Sequence, residues 1–237
     1  MALLAYKNDR DLKEKFVEQM RWHQDQDKIV QGCYGENGDN FRGCAVGCGI
    51  HSMALIQGKE FDNADHKLWE DLLGIPEWIA RVCDAVFEGL PADEARKFPV
   101  QFSEAVRCGK DLDSIKPAFS IFVLESVREN ARDDGKAAID QVISLHRRVQ
   151  SGEEVTESKW SAAWSAADSA ADSAADSAAR SAAWSAAWSA ADSAAWFAAD
   201  SAAWFAARSA AWFAARSAAW FAAWIKFRNE LLRLVAE

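Results

Sequence analysis

The sequence predicts an all-α protein, with a helical domain up to residue 152 followed by a helical repeat rich in alanine and tryptophan. Three observations predict this fold. Apolar residues before residue 152 recur at intervals of three and four, which is the amphipathic helical period. No segment alternates apolar and polar residues for long enough to require a strand. Residues 153–237 contain neither glycine nor proline, and alanine, their commonest residue, is the best helix former.

Four apolar stripes predict the helices of the N-terminal domain, and the glycine-rich stretch 32–43 predicts a loop between the first of them and the next. Two stripes follow a proline, which is typical of the first position of a helix. In chain order the stripes comprise Leu12, Phe16, Met20 and His23; residues 79–90 after Pro76; residues 119–127 after Pro117; and residues 139–149, which end at Gly152.

The composition changes near residue 152, and we therefore predict two domains, 1–152 and 153–237. Residues 161–224 are sixteen consecutive units of the form Ser/Phe-Ala-Ala-x, in which x is Trp, Asp or Arg. A helix has 3.6 residues per turn, so each four-residue unit rotates the x position by roughly 40°. The tryptophan stripe consequently winds around the helix and cannot be covered by one flat neighbour.

These aromatic side chains predict self-association. Leaving most of them in water would forfeit more free energy than a typical domain has, at roughly 2–3 kcal/mol for each aromatic. A folded-back bundle or a homo-oligomer would bury them, and we expect the oligomer because the repeat lacks glycine or proline for sharp turns. The predicted interface comprises Trp184, Trp188, Trp196, Phe197, Trp204, Phe205, Trp212, Phe213, Trp220, Phe221 and Trp224.

Charge and composition argue against several classes of partner. The formal net charge is −9, which disfavours nucleic acid and anionic membrane surfaces. The first residues carry no signal-peptide pattern, and the longest uncharged run of the C-terminal part, 181–191, is too short to cross a bilayer. Five cysteines without an export signal indicate reduced thiols. We therefore expect a cytoplasmic protein that binds neither nucleic acid nor membrane.

Cys33, Cys44, Cys48 and His51 form the most suggestive chemical pattern. On a helix over residues 44–56 the last three would share one face, and Cys33 could complete a zinc site of three cysteines and a histidine. Alternatively, Cys44 at a helix N-terminus could be a nucleophile with His23 or His51 as its base. The third interpretation is a packed core, since Leu55 shares the face and cysteine behaves as a small buried hydrophobe.

Two segments carry a resemblance to known proteins. The segments Ile29–Tyr34 (Ile-Val-Gln-Gly-Cys-Tyr) and Gly43–Ser52 (Gly-Cys-Ala-Val-Gly-Cys-Gly-Ile-His-Ser) resemble a family of uncharacterised bacterial and bacteriophage proteins. The likeness extends to Gly74-Ile75-Pro76, to residues 87–91 and to an alanine-rich tetrapeptide tail. The Gln-Gly-x-Tyr and Cys-Ala-Val-Gly pieces are also similar to small phage-associated domains of unknown function.

The resemblance implies a prokaryotic cytosol and an accessory or host-interaction role, but no activity. In the first family the position of Cys33 is often threonine, which weakens the four-ligand zinc hypothesis.

Taken together, these patterns favour a non-enzymatic binding or assembly protein over an enzyme, because indole and alanine surface is interface material. One alternative is an enzyme or zinc protein that uses Cys44, Cys48 and His51. A second alternative is a sponge for a nucleotide or another small signal, bound by tryptophan stacking and arginine. We expect no cofactor, with zinc as the one alternative, and as partners a second copy of the chain, a host protein or a small-molecule signal.

Overall fold

The computed structural model describes residues 3–35, 38, 40–128, 133–163, 165 and 218–237, and within them the fold is all-α. Two isolated backbone bridges, Leu4 with Asp111 and Ile29 with Gly43, are the extended pairings that these residues contain. The helices are α1 Arg10–Asp25, α2 Ala45–Gln57, α3 Lys67–Leu73, α4 Glu77–Gly89, α5 Ala92–Ala95, α6 Phe98–Ala105, α7 Lys116–Arg128, α8 Asp133–Gln150 and α9 Ala218–Ala236, with a further helical segment at 157–163.

The predicted apolar stripes coincide with observed helices. The stripe after Pro76 lies in α4, and its members Val82 and Val86 are fully buried. Pro76 itself is the N-cap residue of α4, one position before the predicted place. The stripe that contains His146 lies in α8, where His146 is buried as predicted. The glycine-rich stretch belongs to the loop between α1 and α2.

The chain divides into two compact units. The first comprises Met1–Ser114 together with Leu231–Glu237, and the second comprises Ile115–Glu230. Residue 152, the predicted domain boundary, lies inside the second unit, and the predicted division stays a prediction. Most of the repeat lies outside the described residues, including every predicted interface residue from Trp184 to Phe213.

In the first unit, α1 packs against α2 and α6, and α4 packs against α2 and α3. Its core is built from large apolar side chains that the helical period directs inward, including Phe16 and Met20 of α1, Ile50 of α2, Phe87 of α4 and Phe102 of α6.

The end of α9 also belongs to the first unit. There Arg107 N–H donates to the Val235 carbonyl and Lys110 Nζ donates to the Leu234 carbonyl at 2.7 Å. These bonds satisfy carbonyls that a helix end leaves without intrahelical partners.

The second unit is a helical hairpin with further helical segments. Arg128 is bonded to Asp140 by two hydrogen bonds, and Arg147 pairs with Glu125 at 2.7 Å. The later α7 residue, Arg128, pairs with the earlier α8 residue, Asp140, and the earlier α7 residue, Glu125, pairs with the later Arg147, so the two helices are antiparallel. No helix within the described ranges has the length and apolar character to cross a membrane.

Two tryptophans of the C-terminal part, Trp160 and Trp224, lie in the interior of this second unit. Trp160 is buried with its ring 4.9 Å from that of His146. Trp224, the last tryptophan of the repeat, is 1% exposed and packs edge-on against Phe227 at 5.8 Å. Phe227 in turn contacts Phe122 of α7 at 6.2 Å. The last repeat unit is therefore part of a packed aromatic cluster.

We predict that Trp224→Ala lowers the free energy of unfolding by roughly 3–5 kcal/mol, because it removes a buried indole. The matched control is Trp22→Ala in α1, since Trp22 is 42% exposed, and we expect a change below about 1 kcal/mol there. Urea denaturation followed by circular dichroism measures both. Equal losses for the two variants would contradict the assignment of Trp224 to a core.

Candidate functional site

The segment Ile29–Tyr34 attaches the loop between α1 and α2 to the end of α4 through hydrogen bonds of Gln31 and Gly32. Gln31 Nε2 donates to the carbonyls of Phe87 at 2.8 Å and Leu90 at 3.0 Å. The Gly32 N–H donates to the carboxylate of Glu88, 3.0 Å from each oxygen. Gln31 therefore acts as a side-chain cap for the carbonyls at the C-terminus of α4.

The glycines of the second segment allow two elements to approach the backbone of α2. A Cβ atom at Gly47 would lie 1.8 Å from the Tyr34 carbonyl oxygen, and one at Gly43 would lie 2.5 Å from the same atom. A Cβ atom at Gly49 would lie 2.9 Å from the indole of Trp69. The Gly-Cys-Ala-Val-Gly-Cys-Gly pattern is thus the pattern of a helix with close neighbours.

The two motif thiols are used in this packing. Cys44 is the N-cap residue of α2, and its sulfur accepts a long hydrogen bond from the Gly47 N–H at 3.5 Å. The Cys48 thiol donates to the Gly43 carbonyl at 3.3 Å. Both side chains are buried. Burial raises the pKa of both thiols, and the negative charge of Asp84 raises that of Cys44 further.

The pKa direction at Cys44 is opposite to the one that the nucleophile hypothesis requires. A helix N-terminus favours a thiolate, and the backbone N–H groups of Val46 and Gly47 do lower the pKa. Their effect is smaller than that of burial and of the Asp84 charge. The sequence could not give this balance, because Asp84 lies forty residues away.

The four predicted zinc ligands do not converge. Cys33 is exposed and its thiol lies 3.7 Å from the Arg42 carbonyl, whereas Cys44 and Cys48 are buried. His51 is directed to another histidine. In the described part of the chain no group of three or more His, Cys, Asp or Glu side chains could hold a metal ion. Leu55, expected on the buried face, is half exposed, and it lies one turn beyond His51, on which Phe41 of the loop stacks.

The structure brings His23 and His51 together as a hydrogen-bonded pair. His23 is completely buried, and its Nδ1 lies 2.7 Å from the Gln19 carbonyl, which can only accept. The Nδ1 atom of His23 therefore carries the proton, and Nε2 accepts from Nδ1–H of His51 at 2.9 Å. Phe41 stacks on the His51 ring at 3.9 Å between centroids.

One ring nitrogen of this pair, Nε2 of His51, has a lone pair that can accept a hydrogen bond. Because Nδ1 of His51 donates to His23, Nε2 of His51 is the acceptor atom of the neutral ring. No described residue bonds to it. Burial lowers the pKa of His51, and it lowers that of His23 to about 4. Both rings are therefore neutral near pH 7, and His51 presents an oriented base rather than a cation.

A second polar cluster, centred on Asp84 of α4, escaped the sequence prediction. Tyr34 hydroxyl donates to Asp84 Oδ2 at 2.7 Å, and His66 Nε2 lies 3.3 Å from the same oxygen. His66 Nδ1 lies 3.1 Å from the Ala64 carbonyl. The negative charge of Asp84 also raises the pKa of the Cys44 thiol, so this carboxylate acts on the loop, the start of α2 and the approach to α3. The one signal for this cluster in the sequence was Asp84, the single Asp in the helix predicted after Pro76.

Comparisons with protein-family models, with curated proteins and with solved structures give no match for this chain. The chemistry of these clusters therefore has to be judged from their own geometry. That geometry is one of packed thiols, an Asp84 cluster that connects elements, and a neutral histidine pair.

We predict that Gly47→Ala destabilises the protein by about 3 kcal/mol, although alanine is the better helix former, because the new methyl group would overlap the Tyr34 carbonyl. Gly58→Asn is the control. Gly58 ends α2 with φ +64° and has open space around it, and asparagine tolerates that conformation. Chemical denaturation compares the two, and a neutral Gly47→Ala variant would contradict the close approach.

The buried His23 predicts a pH dependence of stability. Its pKa is about 4 in the folded protein and 6.5 when unfolded, so below pH 6.5 the unfolded chain binds a proton that the folded chain does not. Stability therefore falls between pH 6.5 and about 4, by up to about 3 kcal/mol from this residue. His23→Gln should flatten the slope by up to one proton. Buried His146 contributes equally to the pH dependence of the unchanged chain and of the His23→Gln variant. An unchanged slope of stability against pH in the variant would therefore refute the prediction.

Proposed function

We propose that this chain is a non-enzymatic binding and assembly protein that self-associates through its Trp/Ala repeat. The burial of Trp224 carries the proposal, because this repeat tryptophan is a packing residue rather than an exposed platform. Its indole meets Phe227 edge to face at 5.8 Å, the arrangement that buried aromatic pairs prefer. The other repeat tryptophans likewise follow a pair of alanines.

The repeat period explains why burial would call for more than one neighbour. Successive x positions rotate by roughly 40°, so tryptophans four or eight residues apart face different directions. Paired alanines keep the helix narrow between them and permit close helix approach. Copies of the repeat packed around one another would cover every indole, which is the physical basis for proposing a homo-oligomer.

The Cys/His motif supports a binding role, because its cysteines and Gly47 take part in packing and in backbone hydrogen bonds. Cys44 caps a helix, Cys48 bonds the preceding turn, and Gly47 admits a backbone carbonyl. The zinc alternative and the thiol-enzyme alternative each predict a result that the binding role does not. Native mass spectrometry would show one zinc per chain, or a thiol-specific reagent would find Cys44 faster than the exposed Cys33. Either result would favour the alternative.

The resemblance to bacterial and bacteriophage proteins extends the proposal to a cellular compartment and a kind of role. The assembly would act in a prokaryotic cytosol as an accessory protein, with a host protein or a small signal as its further partner. A thermal-shift screen against cyclic nucleotides tests the sponge alternative, in which repeat tryptophans stack on a ligand. A ligand that raises the melting temperature and quenches tryptophan fluorescence would favour the sponge.

We predict that the full chain sediments as an oligomer and that a variant with Phe197, Phe205, Phe213 and Phe221 all changed to Ser shifts toward the monomer. Serine occupies the same position in the other twelve units, so the variant keeps the repeat pattern while it removes four aromatic rings. Each buried aromatic is worth roughly 2–3 kcal/mol. The four together are worth roughly 8–12 kcal/mol, which matches or exceeds the binding free energy of a micromolar complex, about 8 kcal/mol. Sedimentation velocity over a range of concentrations measures the shift.

The control changes Ser169, Ser173, Ser177 and Ser181 to Ala, which alters the same number of repeat positions without removing an aromatic ring. We expect its sedimentation to match that of the unchanged chain. If the unchanged chain is monomeric at every concentration, self-association is wrong and the repeat buries its tryptophans within one chain.

A further inference from the structure

A groove of about 640 Å³ lies in the first unit, between one face of α1 and the end of α6. It is separate from the loop that carries the Cys/His motif. Its volume is within the range of pockets that hold small ligands. Its lining contains four cationic side chains, two carboxylates, one aliphatic side chain and one thiol: Arg10, Lys13, Arg21, Arg107, Glu14, Glu104, Val17 and Cys108.

The helical period creates the floor of the groove. Arg10, Lys13, Val17 and Arg21 are spaced by three and four residues and so share one face of α1. The opposite wall is the last turn of α6 with the residues that follow it. Lys13 joins the two sides, since its Nζ donates to the Glu104 carbonyl at 2.9 Å and to the Val106 carbonyl at 2.7 Å.

The lining of the groove carries more positive than negative charge, with four cationic side chains and two carboxylates. Arg21 donates two hydrogen bonds to the Glu104 carboxylate, at 3.0 and 2.7 Å, and this pair is neutral overall. Lys13 is held by uncharged carbonyl oxygens. The Arg107 guanidinium donates from one nitrogen to the main-chain oxygen of Glu237. Among the residues that line the groove, Glu14 is therefore the one further carboxylate beside Arg10, Lys13 and Arg107, and Arg107 also bonds to Glu237 outside this lining.

Two of these three cations are also fixed in place. Lys13 and Arg107 are anchored to backbone oxygens, so a ligand would not have to order their long side chains. Their remaining N–H groups can bond to an oxyanion, for which a guanidinium beside an ammonium is a strong donor set. The chain as a whole is acidic, which disfavours a long polyanion in the same place.

We propose that this groove binds a small organic anion through a phosphate or carboxylate group held by Arg10, Lys13 and Arg107. The site is independent of the repeat and of self-association. Cys108, in the groove wall, supplies a reporter for the local charge because disulfide reagents of opposite charge react with the same thiol. Exposed Cys33 is the matched thiol outside the groove, and the three other cysteines are buried.

The experiment measures the reaction rates of full-length chains with dianionic dithiobis(nitrobenzoate) and with dicationic cystamine. Cys108 is read in a Cys33→Ser variant and Cys33 in a Cys108→Ser variant. The proposal expects the ratio of the anionic to the cationic rate to be at least about fivefold higher at Cys108 in low salt. Arg10→Gln and Arg107→Gln should each lower that ratio at least about twofold.

Arg96→Gln is the charge-matched control, because Arg96 is an exposed arginine of the first unit outside this groove. It should leave the ratio unchanged. Inorganic phosphate and succinate, added at constant ionic strength, should slow Cys108 saturably and leave Cys33 unaffected, and the stronger of the two identifies the anionic group preferred. Equal ratios at both thiols, or equal slowing of both by the added anions, would overturn the proposal.

Discussion

The contact between the Tyr34 carbonyl and the backbone of Gly47 is the constraint on which the first unit depends. It allows the loop after α1 to lie against α2 without a side chain between them. That position brings the Tyr34 hydroxyl to Asp84 on α4 and the Gln31 amide to the end of the same helix. Because Gly47 has no Cβ atom, the loop that follows α1 can contact both α2 and α4.

The same contact decides the chemistry of the motif residues. The loop covers Cys44 and Cys48, and the loss of solvent raises the pKa of both thiols. His51 lies one turn further along α2 and is only half buried. Its hydrogen bond to His23 fixes the position of its proton. One short sequence thus yields two buried thiols with raised pKa values and an oriented imidazole, a distinction that depends on depth beneath the loop rather than on residue type.

Much of the fold could be predicted from the sequence, because helical periodicity is a local property. The stripes of α1, α4, α7 and α8 were legible in the spacing of apolar residues, and His146 was correctly expected in the core. The expectation for Leu55 was wrong, since a helical wheel gives the direction of a side chain but not how far along the helix its neighbours reach.

The clusters of the candidate site depend on long-range pairing, which a single sequence does not reveal. His23 and His51 are twenty-eight residues apart, and Tyr34 and Asp84 are fifty apart. Sequence spacing suggested that Cys33 and His51 would meet in a zinc site, whereas the chain pairs His51 with a histidine of another helix. The residue types were informative, but the partners came from tertiary packing.

The first unit is discontinuous in the chain, because it includes Leu231–Glu237 as well as the N-terminal residues. The repeat is accordingly an internal insertion rather than an appended tail. Gain or loss of whole tetrapeptides during evolution would leave both flanking contributions to that unit intact. Deletion of residues 231–237, by contrast, would remove the carbonyls that bond to Arg107 and Lys110. The bonds of residues 231–237 to Arg107 and Lys110 therefore constrain that segment independently of the number of repeat units before it.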